Sequence, residues 1–190
     1  MRIFISGGCK NGKSYYAQRL AKIQHTDTLY YIATMKSVDK EDDERIARHR
    51  QDREGWGFIT IEQPRDIEKI LDKCVHNASF LLDSLTALLA NEMFLPDASF
   101  DKHINEHAGE KISHGLRRIT DAIENIVIVS DYIYGEGHIY DSLTEKYRKS
   151  LAQIDRIVAE NSDIVLEIAY TNVIVHKGHE VFGELCEKIP

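Results

Sequence analysis

Gly7-Gly8-Cys9-Lys10-Asn11-Gly12-Lys13-Ser14 spells G-x-x-x-x-G-K-S, directly after the apolar run Ile3-Phe4-Ile5 and directly before a helix-like stretch. Strand, glycine-bearing loop and helix, in that order, form the context in which this pattern cradles phosphate. A polyphosphate needs many donors at close range, and glycines let successive backbone N–H groups converge because no Cβ blocks the approach. The first turn of the following helix adds its partial positive charge. In such a loop Lys13 reaches the β and γ phosphates and Ser14 ligates Mg²⁺. Cys9 falls on a variable position of the pattern, with no resolving cysteine nearby in sequence to suggest redox chemistry.

Working outward, apolar runs recur at 2–6, 28–34, 79–83, 126–130 and 163–168, separated by helical patterns at 13–24, 40–52, 66–75, 84–94, 108–124 and 141–160. Runs without strict alternation suit strands buried on both faces. Strands alternating with helices predict an α/β fold with a mainly parallel sheet and right-handed crossovers. Residues 170–175 read as a last strand, antiparallel after a turn, and 96–107 read as a loop. At 190 residues the chain is expected to form one domain, 1–190.

Composition narrows the function classes. Hydrophobic content of 43% and charged content of 29% exclude a disordered chain. The apolar stretches are strand-sized and no leader-like segment opens the sequence, so no membrane span and a cytoplasmic location are expected. Cys9, Cys74 and Cys186 are odd in number and far apart, which fits neither a disulfide framework nor a zinc site. A net charge of -7 disfavours nucleic acid as a partner. Positive charge is local instead, in Arg45, Arg48, Arg50 and Arg53, a grouping suited to a small phosphorylated ligand.

In parallel sheets, ligands sit beyond the carboxyl ends of the strands. That rule gathers Ala33, Thr34 and Met35, Asp83 and Ser84, and Ser130 and Asp131 beside the phosphate loop. Asp83 and Asp131 each end an apolar run, so both are candidates to organise Mg²⁺, and each also suits a helix cap. His49 lies among four arginines in a helical stretch. Neighbouring guanidinium groups disfavour its protonated form, leaving a lone pair available, while they hold phosphate oxygens. Those are properties of a nucleophile toward phosphorus. From the residues alone, a solvated basic helix face is the simpler account.

The phosphate loop, the strand ending Tyr31-Ile32-Ala33-Thr34, the segment Arg45-Ile46-Ala47-Arg48-His49-Arg50 followed by Arg53 and Trp56, the Thr60-Ile61-Glu62 strand end, and Leu82-Asp83-Ser84-Leu85-Thr86 with Asn91 occur in order. Together they resemble the bifunctional adenosylcobinamide kinase and adenosylcobinamide-phosphate guanylyltransferase family of cobalamin synthesis. The resemblance implies a RecA-like P-loop NTPase fold, a symmetric homo-oligomer expected to be a trimer, and nucleotide and corrinoid small molecules as partners. It implies His49 as the histidine guanylylated by GTP, with Lys13 as the second catalytic residue. Gly7, Gly8, Cys9, Lys10, Asn11, Gly12, Lys13 and Ser14 would hold the triphosphate of GTP (or ATP). Ala33, Thr34 and Met35 and then Arg50, Gln51, Asp52 and Arg53 would line the nucleotide pocket. Glu62 and Asp83 would meet the guanosine end or the metal, with Ser14 and Asp83 as the Mg²⁺ ligands.

The second half departs from that pattern. Where the family has Asn-Glu-Val-Gly, this chain has Asp131-Tyr132-Ile133-Tyr134, and the family's Asn-Gln in the next helix is Asp155-Arg156 here. The changes remove amides and a carboxylate from a region expected to face the corrinoid or a neighbouring subunit. Two other readings therefore stay open: a small-molecule P-loop kinase without a covalent intermediate, and a nucleotide-binding protein with reduced catalysis.

Overall fold

The computed structural model describes residues 1–24, 27–37, 40–95, 103–135 and 137–187. In chain order the elements are β1 (Arg2–Gly7), α1 (Lys13–Ile23), β2 (Leu29–Ala33), α2 (Lys40–Asp52), β3 (Ile59–Glu62), a 3₁₀ helix (Ile67–Asp72), β4 (Ser79–Asp83) and α3 (Leu85–Met93). They continue with β5 (Phe94–Leu95), β6 (His103–Ile104), α4 (Ala108–Ala122), β7 (Asn125–Val129), α5 (Ser142–Asn161), β8 (Ile164–Ala169), β9 (Asn172–Lys177) and α6 (His179–Cys186). Seven strands form one sheet in the order β3-β2-β4-β7-β1-β8-β9, parallel except for β9. The strand leading into the phosphate loop thus sits between β7 and β8, and β7 separates it from the strand that ends in Asp83.

Side chains alternate across the pleat, and both sides are covered. On one face Phe4, Ile32, Phe80, Leu82, Ile126 and Ile128 pack against α3, α4 and α5 through Leu88, Ile112 and Leu151. On the other, Ile3, Ile5, Tyr31, Leu81, Val127 and Val129 pack against Ala17 and Leu20 of α1 and Leu185 of α6. Each such fully buried large side chain contributes roughly 1.5–3 kcal/mol of hydrophobic stabilisation, so the apolar runs of the central strands account for why they form the middle of the sheet. Two helices start on the side-chain caps that their sequences supply. Ser84 accepts from the Ala87 amide at 3.3 Å, and Asp141 accepts from the amides of Leu143 and Thr144 at 3.0 and 3.1 Å.

The structure differs from the sequence expectations in three places. The helix expected at 66–75 is a 3₁₀ helix over Ile67–Asp72, burying Ile67 and Ile70 against α4, where a Cβ on Gly115 would meet Ile67 Cγ2 at 2.9 Å. That close contact fits a tight, flat segment rather than a full α-helix. β3 is an edge strand in which only Ile61 is buried, so it carries no apolar run. α6 buries only Leu185 and leaves little periodicity to read. Of the expected loop at 96–107, residues 96–102 lie outside the described residues, while the flanking β5 and β6 pair antiparallel. The antiparallel final strand expected at 170–175 is β9, at 172–177. Among the described residues, no helix is long and apolar enough to cross a membrane.

Candidate nucleotide site

Parallel register decides which residues meet. Ala33 lies opposite both Glu62 and Asp83, Asp83 lies opposite Val129, and Val129 and Ile168 lie opposite Ile5 and Gly7. The carboxyl ends of β1, β2, β3, β4 and β7 are therefore level, and the loops that leave them open onto one cleft of about 1350 Å³. Drug-sized ligands occupy pockets of roughly 300–1,000 Å³, so this cleft has room for a nucleotide and part of a second molecule. Residues 9–14, Ala33, Met35, Arg50, Arg53, Glu62 and Asp83, all named from the sequence, line it.

The phosphate loop takes its shape from two glycines. A Cβ on Gly7 would collide with the Ile168 carbonyl oxygen of the neighbouring strand, so only glycine fits there. Gly12 begins α1 at φ 84°, in the left-handed region that glycine enters without strain. Lys13 follows, buried to 6% exposure, with its Nζ donating to the Gly8 carbonyl at 2.6 Å and ion-paired with Asp131 Oδ1 at 2.7 Å. Ser14 Oγ donates to Asp83 Oδ2 at 3.3 Å. The two rival acids are thus sorted by position: Asp83 beside the serine, Asp131 beside the lysine.

Asp83 Oδ2 also accepts from the Tyr31 hydroxyl at 3.0 Å, and the Arg53 guanidinium stacks on the Tyr31 ring at 3.5 Å from its centroid. Burial, then the Asp83 charge, holds the Tyr31 hydroxyl well above its usual range, with Arg53 pulling the other way. Tyr31 remains a neutral donor. A continuous chain of contacts runs from Arg53, past the end of α2, through Tyr31 and Asp83 to Ser14.

Helix α2 borders the cleft along Ile46, Ala47, Arg48 and Arg50. The side chains of Arg45, His49 and Asp52 lie outside the described residues. Arg50 pairs with Glu62 at 2.7 Å on the exposed rim, where such a pair is worth little to stability. Thr34 does not line the cleft: it is buried, with its hydroxyl bonded to the Ser84 carbonyl at 2.8 Å and to the Ser84 amide at 2.7 Å. Its role is to hold the ends of β2 and β4 together. Gln51 is exposed, and neither it nor Gly7 or Gly8 lines the cleft. Sequence reasoning missed Gln63, Pro64 and Arg65, which line the wall after β3. The strand-end rule was applied to the apolar runs alone, and extending it to the Thr60-Ile61-Glu62 strand end that the resemblance marks would have found them.

The two departures in the second half meet in space. The Tyr134 hydroxyl donates to Asp155 Oδ2 at 3.0 Å. Asp155 is 2% exposed, and burial pushes its carboxyl up to about 7, with the Asp131 charge adding and the hydroxyls of Ser130 and Tyr134 offsetting part. The Ser130 hydroxyl is near enough to act on that charge without reaching hydrogen-bond geometry: Ser130 Oγ and Asp155 Oδ1 are both buried without a partner. Tyr147 completes the cluster, bonded to the Thr86 carbonyl at 2.8 Å, its hydroxyl raised by burial and by Asp131 and Asp155. The Thr86 hydroxyl accepts from the Asp131 amide at 2.9 Å and fixes the end of β7.

Among the described residues there is no cluster of three His, Cys, Asp or Glu side chains that could hold a metal ion. The pair Ser14 and Asp83 suits Mg²⁺, which takes one or two protein oxygens and fills its octahedron with water and phosphate.

Known proteins resemble this chain in sequence and in fold. The family described as cobinamide kinase / cobinamide phosphate guanyltransferase matches residues 3–172. The chain is 33% identical over 108 residues to the bifunctional adenosylcobalamin biosynthesis protein CobU of Escherichia coli (strain K12), a stretch covering 56% of each protein. It is 36% identical over 98 residues to the bifunctional adenosylcobalamin biosynthesis protein CobP of Pseudomonas aeruginosa, covering 51% of this chain and 56% of that one. The match thus spans little more than half the length of these relatives. Among solved structures, an ATPase domain superposes with a TM-score of 0.51 at 12% identity, covering 93% of this chain and 76% of that one. The fold is that of the RecA-like P-loop NTPases, α/β with a mainly parallel sheet flanked by helices.

Proposed function

The chain belongs to the cobinamide kinase / cobinamide phosphate guanyltransferase family, and from that premise we propose that it carries out two phosphorus transfers in the cleft beyond the sheet. In the first, the γ-phosphate of a nucleoside triphosphate passes to the aminopropanol hydroxyl of adenosylcobinamide. In the second, GMP from GTP passes to the resulting phosphate through a guanylyl-histidine. The observation that carries this reading is that α2 and the phosphate loop border the same cleft, with Arg48, Arg50 and Arg53 facing it alongside Lys13 and Ser14. His49 occupies the turn of α2 between two of those arginines.

The residues divide the work by their chemistry. Backbone amides of residues 7–14 and the start of α1 bind the triphosphate oxygens, and Lys13 neutralises charge at the β and γ positions. Ser14 and Asp83 would hold Mg²⁺, which would supply further neutralisation at those phosphates. The contact between Ser14 and Asp83 supports the metal role for Asp83 over reading of the base. Glu62, on the rim beside Arg50, is then the better candidate for the guanine edge. A carboxylate there accepts from N1–H and the amino group, a donor pair that adenine lacks.

For guanylyl transfer, an imidazole nitrogen of His49 attacks the α-phosphorus, the bond to the bridging oxygen breaks, and pyrophosphate leaves with the electron pair. A phosphate oxygen of the phosphorylated corrinoid then attacks the same phosphorus. The P–N bond breaks, His49 is regenerated, and GMP is joined to the acceptor. Arg48, Arg50 and Arg53, which line the cleft, hold the phosphate oxygens in line.

The test is intact mass spectrometry after incubation with GTP and Mg²⁺. One added GMP mass, on the peptide containing His49, is the expected result, and His49→Ala should lack it. A full adduct on His49→Ala would refute the assignment. Transfer of γ-phosphate with no adduct at all would leave a kinase without a covalent intermediate.

A further inference from the structure

Arg65, on the wall after β3, lines the cleft and has no task in the two transfers. It is half-buried, and its Nε donates to the Asn91 carbonyl at 2.7 Å, near the end of α3. The Asn91 side-chain amide donates in turn to the Thr34 carbonyl at 2.7 Å, so the guanidinium is fixed beside the residue that follows β2. Among the described residues, the bond to Asn91 is the one hydrogen bond that the Arg65 side chain makes. The N–H groups of Nη1 and Nη2 remain for a ligand.

The loop that carries this cation is held from several sides. The Gln63 amide donates to the Ala33 carbonyl at 2.9 Å, the Gln63 side chain donates to the carbonyls of Arg65 and Asp66, and Lys73 Nζ donates to Gln63 Oε1 at 2.7 Å. Asp66 stands at φ 49°, a left-handed conformation that a non-glycine residue keeps only where its surroundings fix it. Here they do: its amide donates to Glu92, itself 1% exposed, at 2.6 Å, and its carboxylate pairs with Lys69 and Lys111. The acid next to Arg65 is thus neutralised by lysines, and the guanidinium keeps its charge for the cleft. Position then decides which ligand it serves. β2 and β3 stand three and four strand spacings from β1, roughly 14 and 19 Å at about 4.8 Å each, which puts phosphates held by Lys13 beyond the reach of Arg65. The acceptor phosphate is no better placed, because successive in-line displacements bring it in from the side on which pyrophosphate left, at the phosphate loop. The base is what remains at the β3 end, where Glu62 is the candidate for the guanine N1–H and amino group.

We propose that Arg65 reads the O6 and N7 acceptors of guanine and so selects GTP over ATP. The inference rests on the guanylyl half of the proposed function and adds a specificity-determining residue to it. Guanine presents O6 and N7 side by side, and a guanidinium meets them with two parallel N–H groups; adenine has an amino donor in place of O6, which faces those N–H groups and repels them. O6 lies between N1 and N7 on the purine, so an acceptor at Glu62 and a donor at Arg65, close together in the chain, take adjoining edges of one base. Anchoring through Nε holds the guanidinium plane before the base arrives, which reduces the ordering cost of binding.

7-Deaza-GTP, which carries C–H in place of N7, tests this on the natural protein, and Arg65→Ala completes a cycle. The measurements are the Kd values for GTP, 7-deaza-GTP and ATP with Mg²⁺ by calorimetry, and the guanylyl adduct by mass. The natural protein should bind GTP about tenfold or more tighter than 7-deaza-GTP, since a hydrogen bond to a charged donor is lost. Arg65→Ala should bind GTP about 5- to 150-fold more weakly than the natural protein, lose less affinity for ATP, and hold GTP and 7-deaza-GTP within about twofold of each other. Equal affinity of the natural protein for GTP and 7-deaza-GTP overturns the inference, whether or not the adduct forms. So does an equal loss of affinity for all three nucleotides in Arg65→Ala, which would make Arg65 a support for its loop only. If the natural protein distinguishes N7, Arg65→Ala does not, and no adduct appears on His49, the assignment of Arg65 stands and the guanylyl-histidine falls.

Discussion

Replacing Asp155 with Asn should change how stability depends on pH more than it changes the structure. Asp155 is buried on α5 with one oxygen bonded to Tyr134 and the other without a partner. Its carboxyl stands at about 7 in the folded protein against 3.8 as an ordinary aspartate. The folded state therefore binds the proton more tightly than the unfolded chain. The associated stability is fully present below about pH 4 and is lost as pH rises through about 7, a difference of roughly 4 kcal/mol at most. Relaxation around the charge and water entry reduce that, so about 2–4 kcal/mol is the working range. Asn keeps the acceptor for Tyr134 and does not ionise. For a chain of this size each kcal/mol moves Tm by about 2–4 °C, so the natural protein should lose about 5–15 °C more than Asp155→Asn between pH 4.5 and pH 8. Thermal and urea unfolding at a series of pH values are the assay. Parallel curves for the two proteins would show that Asp155 does not carry a proton into the folded state, and the reasoning would fail.

Lys13→Ala removes the only lysine among the described residues that is buried at the phosphate loop, and GTP affinity should fall by about 100-fold or more, as expected for loss of a charge-assisted contact worth about 3 kcal/mol; titration with a fluorescent nucleotide checks it, and a change under threefold would deny Lys13 its role. Gly7→Ala puts a methyl group against the Ile168 carbonyl. It should cost about 1–3 kcal/mol in urea unfolding and weaken GTP binding by displacing the loop, whereas unchanged stability would mean that the strand end can yield.

The phosphate loop, the central strands and most helices were legible because their signals are local. Eight consecutive residues specify the loop; β1, β2, β4 and β7 are buried on both faces, so their sequences are nearly unbroken apolar runs, and β8 buries Ile164, Leu166 and Ile168 in strict alternation. The 3₁₀ helix and α6 were not legible from periodicity, and β3 was marked only by the resemblance, for the complementary reason: each buries one or two side chains, so neither a period of two nor one of 3.6 emerges. The same holds within the site. Lys13 and Ser14 follow from the motif, while Tyr31, Gln63 and Arg65 reach the cleft only because of how their strands are placed.

The amino-acid sequence by itself determined that a phosphate-binding loop leads from a buried strand into a helix, since covalent neighbours supply every group that the motif needs. The rivalry between Asp83 and Asp131 was decided only in three dimensions. Both end apolar strands, and nothing in their immediate surroundings in the sequence distinguishes them. The strand order lays β7 beside β1 and β4 beyond it, and register then aims one carboxylate at Lys13 and the other at Ser14. Pairing between strands far apart in the chain depends on long-range packing, which is why the partner of each acid could not be read from its neighbours.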